Sequence, residues 1–246
     1  MDEDDNVSLR AFVTDRLGRG IAVSDRRFDE VFSTDWRAPS ARFWTPVAVA
    51  LRVASWFSEH GSRRVLDIGS GAGKMCIVGA LSSDIEFIGI EHREPLVREA
   101  RSVAETLGVE ERTTFLHGSI DTLDVSAYDS FYLYNPFWEN VYSTGERLDS
   151  NVELTEARYR RDTRTVERIL RAAPIGARII TYHGFGGRMP NSYAPVKTLR
   201  IASDALRLWV KRRRESTGYY IEMGYTGLAL DMTPTEGPGP SDVSTR

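Results

Sequence analysis

The chain has 246 residues, 41% of them hydrophobic and 27% charged, with a formal net charge of −3. That composition suits a soluble globular protein built as one α/β domain with additions, and it gives no global pull toward nucleic acid. No run of about 18 apolar residues spans a membrane, "MDEDDNVS" is the reverse of a basic-then-apolar signal, and one cysteine, Cys76, excludes an internal disulfide; together these favour the cytoplasm.

Residues 1–44 are read as an N-terminal helical extension, 45–232 as the main domain and the Pro-, Gly-, Ser- and Thr-rich 233–246 as a flexible tail. Thr45 before Pro46 has the form of a helix start, a capping hydroxyl followed by proline at the first helical position. A strand "RVLDIG" follows, then a helix from about Lys74 and a strand "IEFIGIE" at 85–91. Residues 95–108 have apolar positions at helical spacing and Gly108 as their stop. Strands "TTFLHG" and "SFYLYN", a helix near 153–173 and a strand at 177–184 complete an alternation that predicts a doubly wound, mostly parallel sheet. In the last third, "LRLWVKR" and "YYIEMGYTG" read as the two strands of an antiparallel hairpin.

Two places in this alternation carry chemistry. The first strand ends in Asp67, followed by Gly69, Ser70, Gly71 and Gly73 and then a helix. Glycines let the backbone bend and approach a ligand, and the helix start offers unpaired N–H groups. A tight turn without a ligand is the plainer alternative. Glu91 ends the next strand, 22 residues after Gly69, where a carboxylate can accept both hydroxyls of a ribose. The dinucleotide fingerprint requires a sixth-position glycine, and Lys74 stands there.

From about Val65 to His183 the sequence resembles the class I S-adenosylmethionine-dependent methyltransferases. "DIGSGAG" resembles their first motif, and Glu91 their ribose-binding acid. The resemblance implies S-adenosylmethionine as cofactor and a seven-stranded Rossmann-like sheet ending in an antiparallel hairpin. It implies that Asp67 orients the methionine portion, that His92 lies near the adenine, and that "HGSID", with Ser119 and Ile120, holds the ring. Ser119 stands where aspartate is frequent, so Ser119 or Asp121 is left to meet the adenine amine.

The second place is Asn135-Pro136-Phe137-Trp138, which resembles the Asn-Pro-Pro-aromatic motif of methyltransferases that act on planar or amide nitrogens, with phenylalanine for the second proline. Methyl transfer from a sulfonium is an in-line displacement, so the enzyme chiefly has to place a lone pair behind the methyl carbon. The Asn135 side-chain oxygen and the Pro136 carbonyl can accept the amine's hydrogens, and Phe137 or Trp138 can stack on the target. A strand-ending turn with aromatics in the core is the alternative. The strand end also resembles that of non-SET histone lysine methyltransferases, which keeps a protein acceptor open beside a nucleobase or a small molecule.

Phe43, Trp44 and Thr45 resemble a segment that closes over the cofactor, and equally a staple for the helix at Pro46. Glu139 and Asn140 are secondary candidates, Glu139 as a base, an anchor for a cationic acceptor or a rim charge; His183, at the end of a strand near the expected mouth, reads as a pocket residue or, more commonly, a packed or capping histidine. The arginines of 158–171 alternate with acids and predict an ion-paired face more than a nucleic-acid contact. Four scattered histidines and one cysteine form no metal site. A non-catalytic cofactor-binding sensor is the rival from another class, and Asn135-Pro136 speaks against it; Lys74 speaks against a nicotinamide oxidoreductase.

Overall fold

The computed structural model describes residues 3–141, 147–149, 151–201, 204–214 and 220–221. Its centre is formed by the apolar runs that cannot sit on a wet surface. Strands β1 (Arg64–Ile68), β2 (Glu86–Glu91), β3 (Thr113–His117), β4 (Ser130–Tyr134) and β5 (Arg178–Tyr182) pair in parallel. Such strands are covered on both faces, hence the near-continuous burial of Val65–Ile68 and Phe87–Glu91. Strand β8 (Asp204–Lys211) adds antiparallel to β5, and β7 (Tyr193–Ile201) pairs antiparallel with β8 at the edge, giving the order β3-β2-β1-β4-β5-β8-β7. The chain reverses order between β1 and β4. That switch point, at the carboxyl ends of the strands, is where open α/β sheets bind ligands.

One face carries α4 (Val47–Glu59), α5 (Lys74–Ser82) and α6 (Glu94–Leu107), and Val53, Val78 and Val97 share its core with Val65 and Phe87. α6 ends at Gly108 in the left-handed region, φ 68°, as its sequence predicts. The opposite face is closed by α7 (Glu156–Ala172), whose Val166, Ile169 and Leu170 pack on Leu66, Ile88 and Ile179. The N-terminal segment forms α1 (Glu3–Gly18), the short α2 (Asp25–Phe28) and α3 (Thr34–Phe43). Leu9, Val13, Leu17, Phe28 and Phe32 lie in the same core cluster as β1.

Two local expectations are corrected. The hairpin partner of β8 is β7, while Tyr220–Ile221 (β9) pairs with Met189–Pro190 (β6) in a separate ribbon; residues 222–227 lie outside the described set. β7 was illegible because it is a sheet edge: Lys197 through Arg200 are largely exposed and polar, and Pro195 sits at a register shift. Thr45 does not cap α4. Its hydroxyl bonds the Tyr132 hydroxyl at 2.9 Å, and the carboxylate of Asp25, distant in sequence, accepts the N–H of Val47 at 2.9 Å.

The arginine-rich α7 is ion-paired along its length: Arg158 and Arg161 with Asp162, Arg160 with Glu156, Arg171 with Glu167. Lys211, the first residue of "KRRR", is buried, and its Nζ donates to the carbonyls of Leu170, Arg171 and Ala173, the end of α7. The expected tail at 233–246 lies outside the described residues. Among those residues no helix is long and apolar enough to cross a membrane, and no group of histidine, cysteine or acidic side chains is placed to hold a metal.

Candidate functional site

The turn after β1 runs through Gly69, Gly71 and Gly73 with φ of 78°, 56° and 77°, conformations that glycine reaches at little steric cost. Their reasons differ. A Cβ on Gly69 would stand 2.8 Å from the Pro136 Cβ, and one on Gly71 would stand 2.7 Å from the indole nitrogen of Trp44. These two glycines let Pro136 and Trp44 close onto the turn, and both line the cleft above it. A Cβ on Gly73 would meet the Phe115 ring at 2.5 Å, so that glycine lets α5 pack on the sheet. Ser70 turns away from the cleft as well, its hydroxyl lying against Gly89.

Above the turn lie two adjoining hollows, open to solvent, that share Gly69, His92, Pro136 and Asn140. The larger reaches Phe43, Trp44, Glu91, Arg93, Tyr134 and Asn135. The smaller reaches Ile90, Ser119, Ile120, Phe137 and Arg158. Asp67, Ser70, Gly73 and Trp138 line neither cavity. Asp67 is buried beneath the turn, where its carboxylate accepts the Cys76 thiol at 3.5 Å; burial foremost pushes its pKa up to about 7. Cys76 is fully buried beside it, as expected of a small core residue.

Glu91 is 6% exposed, and its two carboxylate oxygens accept the backbone N–H groups of Gly71 at 3.1 Å and Arg93 at 2.9 Å. Burial raises its pKa, and these two donors and the Arg93 charge oppose that rise. The glycine turn and the end of β2 are thereby fixed to each other. His92 follows, its pKa pushed down to about 3 by burial and then by the Arg93 charge, so the ring is neutral. Its Nδ1 stands 3.5 Å from Glu91, a contact of a neutral imidazole and not an ion pair.

Three residues the sequence left open or unmentioned shape the rim. The buried guanidinium of Arg93 forks between Glu139, at 2.9 Å, and both oxygens of Asp149, at 3.1 and 3.2 Å. Glu139 also accepts the N–H of Leu148 at 2.5 Å. Glu139 is thus a strut between the β2 end and the 147–149 segment, neither a free base nor a solvated charge. No sequence signal separates Arg93 from an ordinary helix-flanking arginine, because both acids lie more than forty residues away.

Asn135 and His183 are the two non-glycine residues with positive φ among the described residues, 43° and 56°. They end the adjacent strands β4 and β5, and the N–H of Asn135 donates to the Gly184 carbonyl at 2.9 Å. Left-handed backbone at two neighbouring strand ends turns both side chains out of the strand register at the mouth of the sheet. The Nδ1 of His183 stands 2.9 Å from Asp204, and its ring lies against Tyr134 and Tyr182. Burial lowers its pKa, and Asp204 pulls the other way. His183 lines neither cavity and stands beside the mouth, held by Asp204 and the two tyrosines.

The sheet order, the turn at the switch point and the acid ending β2 define a Rossmann-like domain with the methyltransferase fold. Residues 59–137 match the family model described as a methyltransferase domain. An RNA methyltransferase from Salinibacter ruber, solved with S-adenosyl-L-homocysteine, is similar with a TM-score of 0.50 at 20% identity, over 70% of this chain and 94% of that one. TrmN from Thermus thermophilus is similar with a TM-score of 0.50 at 17% identity, over 72% of this chain and 53% of that one. A putative O-methyltransferase from Klebsiella pneumoniae gives 0.49 at 14% identity, over 82% and 90%. No curated protein matches the sequence.

The chain's own residues fit S-adenosylmethionine. Two glycines line the cleft, a buried carboxylate stands at its edge, and buried Nε2 of His92 and Oδ1 of Asn140 have no hydrogen-bond partner.

Proposed function

We propose that the protein is an S-adenosylmethionine-dependent methyltransferase that methylates a nitrogen. The observation that supports this reading is the bond of the Gly71 N–H to Glu91 in the cleft that Asn135 and Pro136 also line. When bound, S-adenosylmethionine supplies an electrophilic methyl group on a sulfonium. Glu91 would accept the ribose hydroxyls, and the turn at Gly69 and Gly71 would lie against the bound cofactor. Trp44 and Phe43 cover the cleft from the end of α3 and exclude water. Asn135 and the Pro136 carbonyl accept hydrogens from the acceptor nitrogen, which directs its lone pair and stabilises the charge that develops there. The acceptor itself is a protein side chain, a nucleobase or a small molecule. Radiolabelled methyl transfer into fractionated lysate, with protease and nuclease controls, assigns the class.

Titration calorimetry tests the cofactor half of the reading. S-adenosylhomocysteine should bind and NADH should not. Glu91→Ala should weaken S-adenosylhomocysteine binding by roughly 1.5–3 kcal/mol, the scale of hydrogen bonds to a charged group. Affinity within twofold of wild type in a folded variant would remove Glu91 from the ribose.

The acceptor half rests on Asn135. Asn135→Gly removes the amide and keeps the left-handed backbone, which alanine would strain by about 1–2 kcal/mol. Cofactor affinity should stay near wild type while turnover falls about 10²-fold or more. Equal losses of affinity and turnover would place Asn135 against the cofactor, and unchanged turnover would favour a binding module without chemistry at this strand end.

A further inference from the structure

Helix α7 and the residues after β8 carry more cations than the acids beside them can match. α7 holds six arginines against three acids. Glu156, Asp162 and Glu167 take up Arg158, Arg160, Arg161 and Arg171. Arg164 and Arg168 are left over. They are exposed, one turn apart on the outer face, and form no ion pair among the described residues; Arg168 bonds only the Thr165 hydroxyl, at 2.9 Å. Arg212, Arg213 and Arg214 are exposed as well, and form no ion pair among those residues either.

The two groups belong to one surface. Arg171 and Arg214 line the same recess, with buried Lys211 beneath them. The segment 188–192 joins the rest. The Arg188 N–H donates to Glu167 at 2.9 Å, the Ser192 carbonyl accepts the Arg212 N–H at 2.8 Å, and the Asn191 carbonyl accepts the Arg213 guanidinium at 3.3 Å. Glu167, the acid inside this surface, is thereby engaged by a backbone N–H and by Arg171. The cations stand on a helix and on a hydrogen-bonded strand end, so little backbone order is lost when they meet an anion.

The surface also has a direction. Arg158, in the first turn of α7, lines the smaller hollow at the carboxyl ends of the strands. The last carbonyls of α7 meet Lys211 at the other end of the sheet. Arg164, Arg168 and Arg171 follow one another over about 10 Å of the helix between those ends. A membrane would require an apolar face beside the charges. Here Ile175, 60% exposed, is a lone large apolar side chain beside the recess.

We propose that this face binds the phosphate backbone of a single-stranded nucleic acid and leads one of its bases to the hollow as the methyl acceptor. Guanidinium forks grip phosphate oxygens in pairs, and a row of separate cations suits a chain with one charge per nucleotide. The net charge of −3 does not oppose this, because a local excess decides the contact. Binding rests on the arginines alone, whereas the role of the base rests on the methyltransferase reading above.

Fluorescence anisotropy of the full chain with labelled single-stranded RNA and DNA of one mixed sequence tests the surface. At least one of them should bind, and its affinity should fall about 30-fold between about 50 and 200 mM salt. Arg164→Gln/Arg168→Gln and Arg212→Gln/Arg213→Gln/Arg214→Gln should each weaken binding about 10-fold at the lower salt and flatten the salt dependence. Arg19→Gln/Arg98→Gln removes two charges elsewhere and should stay within twofold of wild type. S-adenosylhomocysteine affinity, measured on the same samples, should be unchanged in all three variants. Labelled methyl should enter nuclease-sensitive material, and the first two variants should lose that transfer. A wild type that binds neither strand overturns the proposal, as does one that binds phosphatidylserine vesicles in their place. Equal losses in the control variant, or methyl found only in protease-sensitive material, overturn it too. All of these leave the cofactor reading standing, which falls only if S-adenosylhomocysteine itself does not bind.

Discussion

Lys74→Met is expected to destabilise the protein by about 3–5 kcal/mol, the cost of removing one partner from a buried ion pair. Lys74 is 1% exposed, and its Nζ lies 2.7 Å from both Asp25 and Asp29, with the Ser40 hydroxyl at 3.1 Å. Methionine keeps the stem's packing but strands the carboxylate of Asp29, which is 5% exposed and keeps the Ser40 hydroxyl as its remaining side-chain partner among the described residues. The loss should extend to the N-terminal helices. Asp25 also holds the first N–H of α4, and Phe32 carries Trp44 edge to face at 4.9 Å over the glycine turn. Urea unfolding of Lys74→Met, Asp29→Asn and the double variant measures this. Because the groups touch, the double variant should lose less than the sum of the singles. Additive losses, or a single loss below about 1 kcal/mol, would show that the triad is solvated in solution.

This same lysine marks how far the sequence can be read. "DIGSGAGK" shows that the turn departs from the dinucleotide fingerprint, since that is a matter of local spacing. That Lys74 faces inward to two aspartates more than forty residues earlier is tertiary information with no local trace. The sheet was legible for the opposite reason: strands buried on both faces must be written as apolar runs, and glycine and proline must punctuate them. The edge strand β7, wet on much of its surface, carries no such constraint and was missed. Within the site, local chemistry indicated Gly69, Gly71, Glu91 and Asn135, which line the larger cavity. It could not separate them from Ser70 and Gly73, which pack inside the fold, because a glycine that lines a cleft and one that only admits a neighbouring ring have the same local signature. His92 and Asn140 both follow legible motifs closely enough to be candidates, while the burial of the Asn140 oxygen without a partner is a matter of packing that the sequence does not show.

Asp67→Asn is expected to make stability nearly independent of pH where the wild type loses it. Burial first, and the nearby Glu91 charge after the opposing Cys76 bond, raise the Asp67 carboxyl from 3.8 to about 7. An acid raised on folding binds its proton in the native state across a range where the unfolded chain has already released it. Below about pH 4 both states are protonated, and Asp67 carries no penalty. From there to about pH 7 native stability falls as pH rises, and above 7 the folded chain holds a buried carboxylate at full cost. The gap corresponds to about 4 kcal/mol of stability lost across that window, at about 1.4 kcal/mol per unit. Asparagine keeps the size and removes the ionisation. It leaves a buried amide to be satisfied, a cost of about 1–3 kcal/mol that does not vary with pH. The decisive quantity is therefore the change in the variant-minus-wild-type difference between pH 4.5 and pH 8, read from urea midpoints and slopes. That difference should move in the variant's favour by about 2–4 kcal/mol. A difference that stays flat would mean that Asp67 ionises normally beneath the turn, and one that moves the other way would mean that a cationic partner holds it charged. The first outcome would put water under the glycine turn; the second would make the acid a charge-bearing part of the cofactor floor.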